Sequence, residues 1–256
     1  RYLLNVPIVN NYLTSDNIDF GTVKGFTASY DLRRTGNLEL SASYTLQYAE
    51  GTGSSANSGL SSRNGEVRVL VPLSFDERHR IVGNVDYRYA SGDKYNGPTV
   101  QGLDLLANTG LNLQIAAVSG RPYTRASNIS TPFSSAGFTG DINGARYPWN
   151  FNIDARLDRN FFLKTSKEAT RGLNLNVYLR VSNLLDTRNI IGVYRVTGSP
   201  EDDGYLSSQF GQDALADVAN SGKDVQSYLA AYEWALLNPG FYTLPRRIRG
   251  GGIISF

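Results

Sequence analysis

Cysteine and methionine are both absent from the 256 residues, and there is a single histidine, His79. Without cysteine there is no disulfide framework, no thiolate metal site and no cysteine nucleophile. No run of about 18 apolar residues occurs, which excludes helical membrane spans. It does not exclude membrane-crossing strands, because only alternate residues of such a strand face lipid. An excess of charge is missing as well. The chain carries 25 basic and 23 acidic residues, so no nucleic-acid footprint is present. It begins in mid-pattern at Arg1, with neither Met nor a signal peptide. It is therefore expected to be the C-terminal piece of a longer chain.

What is abundant points to β-structure. Tyrosine (16) and glycine (26) are frequent, alongside many Asn and Ser residues, a mixture suited to twisted strands with aromatic ends and polar loops. Hydrophobicity alternates with period two over 22–33, 38–49, 79–90, 103–118, 150–161, 172–182 and 242–256, which are the predicted strands. Residues 1–18 read as the end of a preceding strand or as a loop, leaving 19–256 as one β segment. In the second stretch Leu38, Leu40, Ala42, Tyr44, Leu46 and Tyr48 oppose Glu39, Ser41, Ser43, Thr45 and Gln47. In the last, Ile248, Gly250, Gly252, Ile254 and Phe256 share one face, and Arg247, Arg249, Gly251, Ile253 and Ser255 the other. The same alternation puts Arg80, Asp86, Arg88, Asp154, Arg156, Asp158, Arg180, Arg247 and Arg249 on the polar face. A hairpin symmetric about residue 167 would pair Asp154 with Arg180, Arg156 with Tyr178 and Asp158 with Asn176.

Long connections at 50–77, 119–147 and 198–241 follow the second, fourth and sixth strands, while 34–37 and 163–171 are short turns. The 198–241 connection reads helical from Val225 to Leu237, where Asn238-Pro239-Gly240 ends the helix. The sixth strand has the option of resuming over Ile190–Thr197. Tyr44, Tyr48, Trp149 and Tyr242 fall at one set of strand ends, and Tyr30, Tyr87, Tyr89, Phe161 and Phe256 at the other. Short turns on one side, long loops on the other and two aromatic belts are the pattern of outer-membrane barrels. The predicted fold class is all-β: a transmembrane antiparallel β-barrel, of which this chain supplies about seven strands. Seven is an odd number, and an open edge in lipid leaves backbone groups unpaired. The remaining strands are expected from a missing N-terminal part.

The terminal set Arg249, Gly251, Ile254 and Phe256 resembles the C-terminal signal by which outer-membrane barrels are recognised for assembly. Five further stretches carry a family resemblance. They are Phe20-Gly21-Thr22-Val23-Lys24-Gly25-Phe26, Pro72-Leu73-Ser74-Phe75-Asp76-Glu77-Arg78-His79, Ser119-Gly120-Arg121-Pro122-Tyr123-Thr124, Val181-Ser182-Asn183-Leu184-Leu185-Asp186-Thr187-Arg188-Asn189 and Leu244-Pro245-Arg246-Arg247-Ile248-Arg249. In order and spacing they resemble the C-terminal third of TonB-dependent outer-membrane receptors, from about residue 19 to 256. The resemblance implies a barrel of about 22 strands, plugged by an N-terminal globular domain, in the outer membrane of a Gram-negative bacterium. It implies energised import of a scarce, bulky nutrient, driven through a periplasmic segment that engages the TonB complex. Plug and TonB-binding segment are both absent from this sequence. The nine charged residues of the polar face would then be lumen- or plug-facing. Expected partners are outer-membrane lipid, the chain's own plug domain, the TonB complex and a surface lipoprotein on the Val225–Leu237 helix. Alternatives are a barrel acting as a structural or partner-binding component of an outer-membrane complex, and a passive porin.

Catalytic chemistry finds little support, and no enzyme or cofactor is expected. Asp76 near His79 is half of a proton relay, but no nucleophile elbow G-x-S-x-G accompanies it. Gly51-x-Gly53-x-x-Ala56 mimics part of a dinucleotide fingerprint without the strand-to-helix context that binds phosphate. Asn128-Ile129-Ser130 fits a glycosylation pattern that carries no weight in a bacterial outer membrane. Glu201, Asp202 and Asp203 read first as a solvated loop, and only second as oxygen ligands for Ca²⁺.

Overall fold

The computed structural model of the protein describes residues 2–4, 12–14, 20–55, 69–129, 137–164 and 172–255. Its main feature is one antiparallel sheet of long strands, each hydrogen-bonded to its neighbours in sequence. These are β1 (Gly21–Thr35), β2 (Leu38–Gly51), β3 (His79–Arg88), β4 (Thr109–Val118), β5 (Asn150–Lys164), β6 (Gly172–Ser182) and β7 (Arg247–Ser255). Among the described residues, the outer edges of β1 and β7 are unpaired and the sheet is open. Tyr2–Leu4 pairs with Tyr12–Thr14 in a separate small ladder; the rest of 1–18 lies outside the described residues. Two helices, α1 (Gln209–Asn220) and α2 (Val225–Leu236), pack on each other in the connection between β6 and β7. Neither helix is long and apolar enough to cross a membrane.

The register aligns like residues across the whole sheet. Leu32, Leu40, Val85, Leu113, Ala155, Val181 and Ile248 stand opposite one another from edge to edge. Two residues along, Leu38, Tyr87, Leu111, Leu157, Leu179 and Gly250 form the next row. The opposite face carries Asp31, Ser41, Asn84, Gln114 and Asp154 in one row and Glu39, Asp86, Asn112, Arg156, Arg180 and Arg249 in another. Alternation in sequence thus becomes one apolar and one polar face, as the period of two requires. Neither helix packs across the apolar face, and its Phe26, Tyr30, Ile81, Leu157, Val177 and Ile254 are exposed. Among the described residues the only buried hydrophobic side chains are Ala49, Leu73 and Val193. The sheet has no core of its own.

Several boundaries differ from the sequence expectation, each for a local reason. The fourth strand starts at Thr109 rather than 103, because Leu103–Asp104 folds back on Thr99–Val100. Gln101 and Gly102, with φ of 52° and 77°, make the tight turn between them, and Asn108 (φ 57°) sets the chain onto β4. The last strand starts at Arg247 rather than 242, since Pro245 has no N–H to add to the ladder. The sixth strand does not resume over 190–197; only an isolated bridge joins Ile190 to Tyr242. Left-handed Asn183 (φ 55°) and Asp186 (φ 54°) turn the chain out of the sheet before it. Within the 50–77 connection, Val71–Pro72 pairs with Glu50–Gly51.

The β5–β6 register is shifted by two from the expected hairpin. Arg156 stands opposite Arg180, Asp158 opposite Tyr178 and Asn160 opposite Asn176. An even shift keeps every residue on its face. The turn itself, 165–171, lies outside the described residues. Helix α2 falls where expected, capped by Asp224, which accepts from the amides of Gln226 and Ser227. The Asp224 carboxyl sits below its ordinary range, held there chiefly by the Ser227 hydroxyl and amide. Helix α1 was not anticipated.

The β1–β2 connection is a two-residue turn at Gly36-Asn37, with Gly36 at φ +61° and nothing within van der Waals reach of a Cβ there. Gly36→Val should therefore act through backbone strain alone and destabilise the protein by about 1–2 kcal/mol. Gly36→Asn should cost clearly less. Equilibrium unfolding in urea separates the two; equal losses would contradict a strain origin.

Candidate functional site

The polar face is the candidate site, because it gathers the sequence's charged residues into a connected system. Arg80, Asp86 and Arg88 stand on β3, Asp154, Arg156 and Asp158 on β5, Arg180 on β6, and Arg247 and Arg249 on β7. All nine share this face. Asp158 lies at the centre and is only 6% exposed. It accepts from Arg88 through Nη1 at 3.1 Å and Nη2 at 2.9 Å, and from the Asn176 carboxamide at 3.0 Å. Arg88 and Asp158 belong to strands that are not neighbours; β4 runs between them. The guanidinium crosses β4 at Gly110, where a Cβ would lie 2.4 Å from its central carbon. A glycine at that point is the clearance that the ion pair needs.

From this centre the charges continue both ways. Arg88 Nε is 3.8 Å from Asp86, and Asp86 is also held by Arg34, which reaches Glu39 at 2.8 Å. On the other side Arg156 donates to Asn176 at 3.2 Å and lies over the Tyr178 ring, 4.6 Å from its centre. The Tyr178 hydroxyl in turn occupies the space above Gly251, 2.7 Å from where a Cβ would be. Asp154 accepts from Asn152 and from the amide of Asn183, and Arg180 is 3.7 Å away. The Asp154–Arg180 pair therefore exists as a diagonal contact rather than a directly opposite one.

Toward β7 the balance becomes positive. Arg156, Arg180 and Arg249 occupy directly opposite positions on three consecutive strands, an arrangement that disfavours itself unless counter-charges intervene. Asp154 and Asp158 serve the first two. Arg247 and Arg249 have no ion pair among the described residues. Beside them a cavity of about 580 Å³ opens between the polar face and the β6–β7 connection, lined by Asn150, Asn152, Asp154, Arg180, Arg247 and Tyr242, among others.

The loops above this end of the sheet are tied together. Asp76 is 1% exposed, accepts from the amide of Ala49 at 2.9 Å, and is gripped by Arg146 from the next long loop. Asn143 donates to the Pro72 carbonyl at 2.7 Å, and Arg121 to Glu77 at 2.8 Å. Asn189 accepts from the Phe151 amide and donates to its carbonyl, both at 2.8 Å, joining the start of the β6–β7 connection to β5. Arg195 donates to the Thr124 carbonyl at 2.7 Å.

The remaining candidates are dispersed. Glu201 accepts from the Tyr242 hydroxyl, Asp202 from the Gly204 amide, and Asp203 from the Tyr205 amide and the Tyr232 hydroxyl. Each acid thus serves a different partner, and no group of three ligands for a metal forms among the described residues. Desolvation and the bond to Asp203 push the Tyr232 hydroxyl well above the ordinary tyrosine range. Tyr242 lines the cavity instead of joining the aromatic belt. His79 is stacked between Tyr44 and Trp149 on the apolar side, its Nδ1 2.9 Å from the Tyr44 hydroxyl. Asp76 points to Arg146 and not to this ring. Of the terminal set, Arg249 faces Arg180, Gly251 faces Tyr178 and Ile254 faces Leu175, while Phe256 lies outside the described residues.

No protein-family model, curated protein or solved structure matches this chain.

Gly110 supplies a direct test of the central ion pair. Any side chain there must displace Arg88 and leave a nearly buried carboxylate without its cation. Gly110→Leu should cost about 2–4 kcal/mol, less than a fully buried pair because Arg88 is partly exposed. In an Arg88→Gln, Asp158→Asn background most of that cost should vanish, as read from urea midpoints in a double-mutant cycle. An unchanged cost would show that Gly110 matters for another reason.

Proposed function

We propose that the chain is part of the wall of an outer-membrane barrel of the TonB-dependent receptor class, serving energised import of a bulky nutrient. The observation that carries this reading is the uncovered apolar face. A sheet that aligns apolar residues across seven strands must cover them, and hydrocarbon is a solvent in which they need no protein partner. Strand lengths support it. β3 and β4 have 10 residues, β7 has 9, and β1 and β5 have 15, against about 9–11 needed to cross a bilayer with tilt. Backbone pairing supports it too, since the edges of β1 and β7, unpaired among the described residues, could be satisfied in lipid only by further strands that close the wall.

The TonB-dependent class rests on the five stretches and the terminal strand that resemble that family. In this reading Arg80, Asp86, Arg88, Asp154, Arg156, Asp158, Arg180, Arg247 and Arg249 face the lumen. The positive excess at Arg247 and Arg249 favours a lumen filled by a plug carrying complementary charge over an open passive pore. The plug and the TonB-binding segment would come from elsewhere in a longer chain. The three long loops lie outside the cell. Helix α2, with Trp234 at 76% exposure, offers a surface lipoprotein its contact.

Protease treatment of intact cells tests the orientation. Cleavage should fall within 50–77, 119–147 and 198–241 and spare 34–37 and 163–171 until the outer membrane is opened. Cleavage confined to 163–171 in intact cells would invert the topology. Recovery of the protein in a soluble fraction would overturn the membrane reading.

A further inference from the structure

The apolar face carries charge at its two ends: Arg159, over the Phe161 ring, at the turn end of β5, and Lys24 with Glu50 at the loop end of β1 and β2. Lys24 follows the parity of Phe26, Ala28 and Tyr30, so it belongs to the apolar face, directly opposite Tyr48. Arg78 precedes β3 and lays its guanidinium over the same tyrosine, 5.1 Å from the ring centre. Two cations therefore flank one aromatic ring at the border of an apolar field.

Their countercharge is incomplete. Lys24 makes no ion pair among the described residues. Among the described residues Arg78 has one ion-pair partner, Asp76, with Nε 3.5 Å from Oδ2 and no hydrogen bond formed by that Nε. Asp76 is already committed, accepting from the Ala49 amide through Oδ1 and held by Arg146 at Oδ2. Arg78 and Arg146 thus share one carboxylate; counting Lys24 and Glu50, which form no ion pair with each other among the described residues, three cations stand with two carboxylates at this end. One row further along the strands, about 7 Å away, the field turns apolar, with exposed Phe26 beside Leu46. The Tyr44–His79–Trp149 stack continues the aromatic rim next to Arg78.

We propose that Lys24 and Arg78 bind the phosphate of a phosphomonoester lipid headgroup, with its acyl chains lying on Phe26 and Leu46. This rests on the membrane reading above. A dianionic phosphate takes charge-assisted hydrogen bonds from an ammonium and a guanidinium together. A zwitterionic headgroup would bring a further cation to a site that already has an excess. A soluble anion would leave the adjoining apolar row without a role, whereas a lipid occupies both.

The test uses the protein in phosphatidylcholine vesicles containing a minor fraction of phosphatidic acid. Vesicle flotation reports insertion, and native mass spectrometry reports the lipid retained. Wild-type protein should retain phosphatidic acid in preference to phosphatidylcholine. Lys24→Gln, an exposed and unpaired position that leaves folding intact, should weaken that retention about fivefold, and Lys24→Gln with Arg78→Gln should abolish the preference. Equal retention of both lipids by the wild type, or an undiminished preference in floating variants, overturns the site and leaves the membrane reading standing. Failure of the wild type to float overturns the membrane reading, and the site with it.

Discussion

Leu32, Leu40, Val85, Leu113, Ala155, Val181 and Ile248 run across seven strands on one side of a sheet that nothing else in the described chain covers. Everything else depends on how that face is solvated. A protein in water would bury it under helices or a second sheet, but α1 and α2 sit in a loop and pack on each other. Ala49, Leu73 and Val193, the buried hydrophobic residues among those described, belong to the loop end rather than to a sheet core. If the apolar face meets lipid, the absence of an internal core stops being a defect: cohesion comes from interstrand hydrogen bonds, and hydrocarbon supplies the other side.

The polar face then has to be stable without hydrophobic help, and its construction answers that need. Arg88 reaches across a whole strand to Asp158 because Gly110 leaves the path open. Tyr178 lies over Gly251 and under Arg156 in a similar arrangement of ring, glycine and cation. Glycines that look interchangeable in a strand pattern are thus positions where a neighbour's side chain passes. The loop end is closed by the same kind of contact, with Asp76 and Asn189 fastening successive loops to strand ends. The charge system is complete at β3 and β5 and unfinished at β7, the side where the proposed plug and the solute would make their contacts.

Much of this was legible in the sequence, because a period of two assigns faces without knowledge of partners. All nine charged residues expected on the polar face lie there, and α2 was visible from its apolar spacing and its Asn-Pro-Gly end. Register was not legible to the residue. The turn after β5 contains no Asn-Gly or Asp-Gly pair to fix it, and its centre was misplaced by one residue, which shifts the pairing by two. Helix α1 hid behind Gly211 and a run of small residues. Its marks were the Ser208 cap and the left-handed Gly222 beyond its end. Contacts between strands that are not adjacent, such as Arg88 with Asp158, leave no signal in a single sequence. Nor do long-range clamps such as Asp76 with Arg146.

The absence of cysteine makes the central claim directly measurable. Single substitutions Leu111→Cys, Asn112→Cys, Leu113→Cys, Gln114→Cys and Ile115→Cys place a nitroxide label at successive positions of β4, the middle strand of the sheet. In proteoliposomes, collision with lipid-soluble oxygen and with a water-soluble nickel chelate distinguishes the two environments. Labels at 111, 113 and 115 should be accessible to oxygen and shielded from nickel, and those at 112 and 114 should lack this oxygen-favoured signature. A period-two pattern of that phase is what a lipid-facing apolar surface requires; equal accessibility at all five positions, or nickel reaching 111, 113 and 115, would contradict it.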